Sequence, residues 1–195
     1  MMTSDQTDRQ KASLWAQGLL ESENWIILDT ETTGLGNDSQ ICQLGVLTPT
    51  HPDGWQTYVK PTIPIDPGAT NIHGITNDDV KDAPYFDEVF LSLLKVVGAR
   101  DLIIYNAEFD CKLIKQSLRV HQIQLAFPTS DRRGCRIFTN GGSIHCAMLW
   151  YSQWIGDCNE YYGNYRWQKL PGGDHSALGD CKATLQIIQR MAKGE

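Results

Sequence analysis

The sequence predicts an α/β domain built around a mixed β-sheet, and three observations carry that reading. Residues 25–32, 39–47 and 55–60 are β-rich runs joined by short polar connections, the pattern of an antiparallel meander. Beyond residue 85 helical periodicity takes over, broken by one short apolar run at 102–105. A length of 195 residues suits one core better than two. Strands first, then helix–strand–helix, put helices against a sheet.

Each element has its own signal. Residues 1–11 are polar and expected to be frayed, leaving 12–195 as a single domain. Within 12–20, Trp15, Leu19 and Leu20 share helical spacing. Residues 61–71 are proline-rich and read as irregular, followed by Ile72-His-Gly-Ile-Thr76. A helix is expected over 85–97, with Phe86, Val89, Phe90, Leu93, Leu94 and Val97 on one face. Phe109, Leu113, Ile114 and Leu118 mark another at 108–120, and a third is read over 143–155. The last spans 176–192, striped by Leu178, Cys181, Leu185 and Ile188.

Composition narrows the function. Seventeen Lys plus Arg against 23 Asp plus Glu give a net charge of −6, which argues against a protein that coats duplex nucleic acid. It leaves room for an enzyme that meets nucleic acid briefly. No apolar run approaches the roughly 18 residues of a membrane span, and the N-terminus lacks an apolar signal region. The six cysteines are scattered without a CxxC pair, so buried free thiols in a cytoplasmic protein are expected. A zinc site from Cys135, His145, Cys146 and Cys158 lacks paired ligand spacing and is the weaker reading.

The acids carry more. Asp29 and Glu31 stand two apart on a strand, so both carboxylates leave the same face near its end. Two close anions repel unless a proton or a cation lies between them. Asp110 falls in the first turn of a helix on its apolar side, above Leu113 and Ile114. Asp180 repeats that placement beside Ala177, Thr184, Ile187 and Met191, and His175 precedes its helix. An acid in a packing face is costly unless paired or metal-bound, and oxygen-rich clusters suit Mg²⁺ or Mn²⁺.

Asp29-Thr-Glu-Thr-Thr-Gly-Leu35, Asn106-Ala-Glu-Phe-Asp110 and His175-Ser-Ala-Leu-Gly-Asp180 resemble, in order, the three exonuclease motifs of the DEDD superfamily. A histidine five before the last acid is similar to its His-type branch, and Ile72-His-Gly-Ile-Thr76 to the segment between motifs one and two. The motifs look like those of proofreading epsilon subunits of bacterial DNA polymerase III and their stand-alone relatives. The resemblance implies a ribonuclease H-like fold with a five-stranded mixed sheet, three strands antiparallel and the rest parallel. It implies a 3′→5′ exonuclease that releases nucleoside 5′-monophosphates from a free 3′-hydroxyl of single-stranded DNA or RNA. Two Mg²⁺ or Mn²⁺ ions would be held by Asp29, Glu31, Asp110 and Asp180, with His175 as general base. Thr32 and Leu35 would border the terminal nucleotide, and Asn106 and Phe109 would lie on the substrate side. A polymerase partner is conceivable within the family, though no tethering tail is visible in this sequence. The alternative from another class is a catalytically silent nucleic-acid-binding or assembly module, and the presence of all five catalytic positions favours the enzyme. The sequence departs from its relatives where Leu170 runs almost directly into Pro171-Gly-Gly-Asp-His175, where a further helix is usual.

Two further clusters stand out. Trp150, Tyr151, Trp154, Tyr161, Tyr162, Tyr165 and Trp167 crowd a short stretch, interleaved with Arg166 and Lys169, and could stack unpaired bases or simply pack. Arg132, Arg133 and Arg136 form a basic turn, able to meet phosphate or to stay solvated.

Overall fold

A computed structural model describes residues 7–123 and 141–195. Arg132, Arg133, Arg136 and Cys135 lie outside the described residues. In chain order the elements are α1 (Asp8–Ser22), β1 (Trp25–Thr32), β2 (Ile41–Thr48), β3 (His51–Tyr58), α2 (Pro67–His73), α3 (Asn77–Val80), α4 (Phe86–Val97), β4 (Asp101–Ile104), α5 (Ala107–Val120), β5 (Ile144–Cys146), α6 (Ala147–Ile155), β6 (Cys158–Asn159), β7 (Asn164–Tyr165) and α7 (Ala177–Lys193). Five strands form one sheet in the order β3-β2-β1-β4-β5. β1–β2 and β2–β3 are antiparallel, while β1–β4 and β4–β5 are parallel. The expected mixed sheet is therefore present, with β1 at its centre.

Alternation along β1 builds the two cores. Ile26 and Leu28 face α4 and α5, packing with Phe86, Phe90, Leu113 and Ile114. Ile27 faces the other way, into a layer formed by α1, α6 and α7 with Trp154, Cys181, Ile187 and Met191. Gly45 on β2 permits the second layer to close. A Cβ there would stand 2.6 Å from the Ala177 carbonyl carbon, so the start of α7 lies directly on the strand.

Several expectations are corrected. Helix α1 begins at Asp8, inside the stretch expected to fray, because Thr7 and Gln10 form a capping box. α2 takes up the end of the stretch read as irregular, from Pro67 on: Asp66 caps it and Pro67 sits at its first turn, where proline starts a helix instead of breaking it. β3 starts at His51 and runs through Pro52, which an edge strand tolerates. The region read as one helix over 143–155 is a strand followed by a helix, β5 and α6. On α7, Cys181 and Ile188 of the expected stripe are fully buried together with Ala177, Thr184, Ile187 and Met191, whereas Leu178 and Leu185 are only partly buried. Cys111 is disulfide-bonded, against the free-thiol expectation, whereas Cys42, Cys146, Cys158 and Cys181 are free. An apolar context cannot separate the two states, since both pack as small hydrophobes. No helix among the described residues is long and apolar enough to cross a membrane.

Candidate active site

The carboxyl end of β1 carries Asp29 and Glu31 toward the α7 layer. The register pairs Glu31 with Gln43 on β2, and Gln43 Oε1 accepts the backbone N–H of Ala177 at 2.9 Å. That bond sets the first turn of α7 over the strand end. Ser176 caps the helix by accepting from the Gly179 N–H at 3.1 Å. Asp180, one turn in, is thereby delivered to the acids of β1. Ligand atoms of Glu31, His175 and Asp180 all lie within 4.8 Å of one another.

Asp110 reaches the same end of the sheet from α5. It is 3 % exposed, and its Oδ1 accepts the Thr30 hydroxyl at 2.8 Å. Thr30 points to the opposite face from Asp29 and Glu31, so one strand end serves acids from both helical layers.

Burial, reinforced by neighbouring negative charge, makes these acids hard to ionise together. Asp29 is pushed well above the usual carboxylate range by burial, then by Asp110, Asp180 and Glu31. Glu31 is raised to about 8, by burial first and then by Asp180, Asp110 and Asp174. Burial raises Asp110 to about 7 even though Thr30 opposes the shift. Asp180 is raised by burial against the opposing effect of the N–H groups of Asp174 and His175, which it accepts at 3.0 and 3.3 Å. Among the described residues none of the four acids forms an ion pair with Lys or Arg. A cluster of buried, mutually repelling oxygen donors with open coordination fits a hard divalent cation of the Mg²⁺ or Mn²⁺ kind.

Beside the acids opens a cleft of about 480 Å³, lined in part by Glu31, Thr32, Leu35, Ile72, His73 and Phe109. Leu35 stands 79 % exposed at its mouth. His73 supports its wall. The Nδ1 of His73 accepts the Ile75 N–H at 3.0 Å, which leaves Nε2 to donate to the Thr32 carbonyl at 3.1 Å. Thr32, Leu35 and Phe109 thus meet in one cleft. Asn106 does not line it, and precedes α5 with its carbonyl accepting from Phe109 and Asp110. His145, offered for zinc, accepts the Trp15 indole N–H at 3.2 Å, and the described residues bring no set of three metal-ligating side chains together apart from Glu31, His175 and Asp180.

Sequence reasoning missed Thr30, Gln43 and Asp174. A polar residue inside an apolar strand, as in Ile41-Cys-Gln43, was the available signal for the second of these.

A ribonuclease H-like sheet with carboxylates at the end of its central strand defines a nuclease, a hydrolase of phosphodiester bonds. The exonuclease family model (RNase_T) matches residues 26–188, and the chain belongs to that family of DEDD exonucleases. It is 33 % identical, over 100 % of its length and 98 % of the relative's, to "Uncharacterized exonuclease CP81" of Escherichia phage 186. The DNA polymerase III epsilon subunit of Buchnera aphidicola subsp. Baizongia pistaciae (strain Bp) is 31 % identical over 85 % of this chain and 69 % of that one. The epsilon subunit of Pasteurella multocida (strain Pm70) is 34 % identical, but only over 44 % of this chain and 38 % of that subunit. Exonuclease X in complex with 5′-overhanging duplex DNA superposes with a TM-score of 0.53 at 25 % identity, covering 87 % and 93 % of the two chains. Apo exonuclease I shares the fold, with a TM-score of 0.60 at 16 % identity over 85 % of this chain and 41 % of that one.

Proposed function

We propose that the protein is a 3′→5′ exonuclease that removes nucleoside 5′-monophosphates from single-stranded DNA or RNA bearing a free 3′-hydroxyl. The observation that carries the reading is the meeting of Glu31, His175 and Asp180 in the neighbourhood of half-buried Asp29 and buried Asp110, beside a cleft of nucleotide size. Asp29, Glu31, Asp110 and Asp180 would hold a pair of divalent cations. Bound there, such ions stabilise charge on the attacking and leaving oxygens of an in-line phosphoryl displacement.

The protein's own groups do the rest. His175, exposed at the rim, takes the proton from the attacking water. Thr32, Leu35 and Phe109 enclose the terminal nucleotide, with Leu35 against its base. A 3′-phosphate would bring further negative charge toward Asp29 and Glu31 and is disfavoured. The complex of exonuclease X with 5′-overhanging duplex DNA supports a nucleic-acid substrate. A place in a polymerase assembly rests on the likeness to DNA polymerase III epsilon subunits.

The test is degradation of a 5′-labelled strand with Mg²⁺. A ladder shortening from the far end is expected, with circles and 3′-phosphorylated strands resistant. Rapid cutting of circles would show an endonuclease. Binding without hydrolysis would point to the silent module.

A further inference from the structure

The fold divides the seven clustered aromatics. Tyr151 and Trp154 are buried in the α1/α6/α7 layer, Trp150 stacks on Trp15 at 5.0 Å, and the Tyr165 hydroxyl donates to Asp8 at 2.7 Å. Tyr161, Tyr162 and Trp167 instead stand 86 %, 72 % and 68 % exposed. Tyr161 and Tyr162 meet edge to face at 4.7 Å at the tip of the β6–β7 hairpin. Three large rings left exposed within seven residues of chain call for an occupant.

Their backbone is anchored at the sheet end that carries the acids. The Tyr105 hydroxyl donates to the Gln168 carbonyl at 2.8 Å. Tyr105 follows Ile104, whose partner across the sheet is Leu28, the residue before Asp29. Neighbouring strands lie about 4.8 Å apart, so the backbone of Tyr105 adjoins that of Asp29, and Gln168 is tied to this strand end through the length of the tyrosine side chain. Two residues further on, Leu170 and Asp180 flank Gly173: a Cβ added there would stand 3.4 Å from the Leu170 side chain and 2.9 Å from Asp180 Oδ1. The segment thus borders the site on the β4 side of β1, whereas Leu35 belongs to the connection between β1 and β2. A strand whose terminal nucleotide fills the cleft by Leu35 and crosses the acids would meet these rings. Arg166 is engaged by Asp157 at 3.4 Å, while Lys169 is exposed and forms no ion pair among the described residues.

We propose that Tyr161, Tyr162 and Trp167 form a platform on which unpaired bases of the substrate strand stack, upstream of the nucleotide being removed, with Lys169 meeting phosphate. The proposal rests on the exonuclease reading and deepens it by fixing the substrate class. Aromatic rings accept any base, but only one whose faces are free. Paired bases, already stacked, gain nothing there.

The test measures steady-state hydrolysis of a single-stranded dodecamer and of a trinucleotide, together with tryptophan fluorescence of the metal-free protein titrated with the dodecamer. Trp167→Ala and a Tyr161→Ala/Tyr162→Ala double variant should each raise KM for the dodecamer about tenfold to a hundredfold. kcat and all constants for the trinucleotide should stay unchanged. Trp167→Phe should restore most of the affinity, and the dodecamer should quench fluorescence in the wild type and not in Trp167→Ala. Unchanged KM for the dodecamer would overturn the proposal. So would an equal KM rise for the trinucleotide, which indicates damage to the site. Loss of self-association with unchanged KM would assign the rings to a protein interface, overturning it as well. A wild type that hydrolyses nothing yet is quenched at Trp167 would defeat the exonuclease reading and leave the platform standing.

Discussion

Oδ1 of Asp180 accepts the backbone N–H of His175 at 3.3 Å, so the last acid and the histidine before it are fixed to each other within one turn. His175 has φ +59°, a left-handed conformation that costs a side-chain-bearing residue about 1–2 kcal/mol. The turn is held by Asp174, whose Oδ1 accepts both the N–H and the hydroxyl of Ser176, at 3.0 and 2.8 Å. Gly179 leaves the space that Asp174 occupies.

Gly179→Ala should therefore dislodge Asp174, since the new Cβ would overlap its Oδ1. Misplacing a reacting group by an ångström costs about 10²-fold, so a kcat loss of that order is expected with the circular dichroism of the fold retained. Asp174→Asn, which keeps an acceptor for Ser176, should lose less than Asp174→Ala. Equal and near-normal rates in all three would show that the turn does not need this support.

Asp29→Ala or Asp180→Ala should bring activity to background while raising the melting temperature of the metal-free protein, because each removes one of the repelling acids. Calorimetry in a chelator reads the second effect independently of catalysis. Near-normal turnover in either variant would end the metal-site reading.

His175→Ala should lower kcat by about 10²–10⁴-fold, the usual contribution of a positioned base. The loss should persist at saturating Mn²⁺, which separates it from weakened metal binding. A wild-type rate in the variant would remove histidine from the reaction.

The metal-free protein should be more stable near pH 5 than near pH 8. Glu31 is raised to about 8 and Asp110 to about 7, each above its unfolded value, so the folded state binds more protons in between. Stability that is complete below the unfolded values is then lost as pH rises through those folded values. Divalent cation should restore it at pH 8. A melting temperature flat from pH 5 to 8 in chelator would contradict the burial of these acids.

Gly45→Ala forces a side chain into the backbone of α7. Overpacking of this kind costs about 1–3 kcal/mol, or about 2–12 °C of melting temperature for a chain of this size. Thermal unfolding checks it, and a shift under one degree would mean that α7 can lift from β2.

The acids were legible because a strand and two helices reveal themselves by periodicity, and periodicity tells which residues share a face. Asp29 with Glu31 is such a case, and so is Asp180 beside Ala177 and Thr184. What lay hidden depended on partners remote in sequence. β5 has three residues, too few to show a period, and exists as a strand because β4 pairs with it. Gln43 gains its meaning from Ala177, far along the chain, and Thr30 from Asp110. The helix starting at Asp8 was within reach, since Thr7 and Gln10 carry the capping pattern. The exposure of Tyr161 against the burial of Trp154 was not, because both sit in the same aromatic run and only the hairpin separates them.

The acids of β1 come early in the chain and the helix that completes them comes last. During synthesis, a nascent polypeptide that has emerged as far as α5 already holds Asp29, Glu31 and Asp110, but not Asp180 or the histidine before it. Contacts so distant in sequence form late, once the intervening elements have packed. The proposed site is therefore complete only once the second helical layer closes, and a chain that stops short of α7 would gather three of its four acids without the fourth.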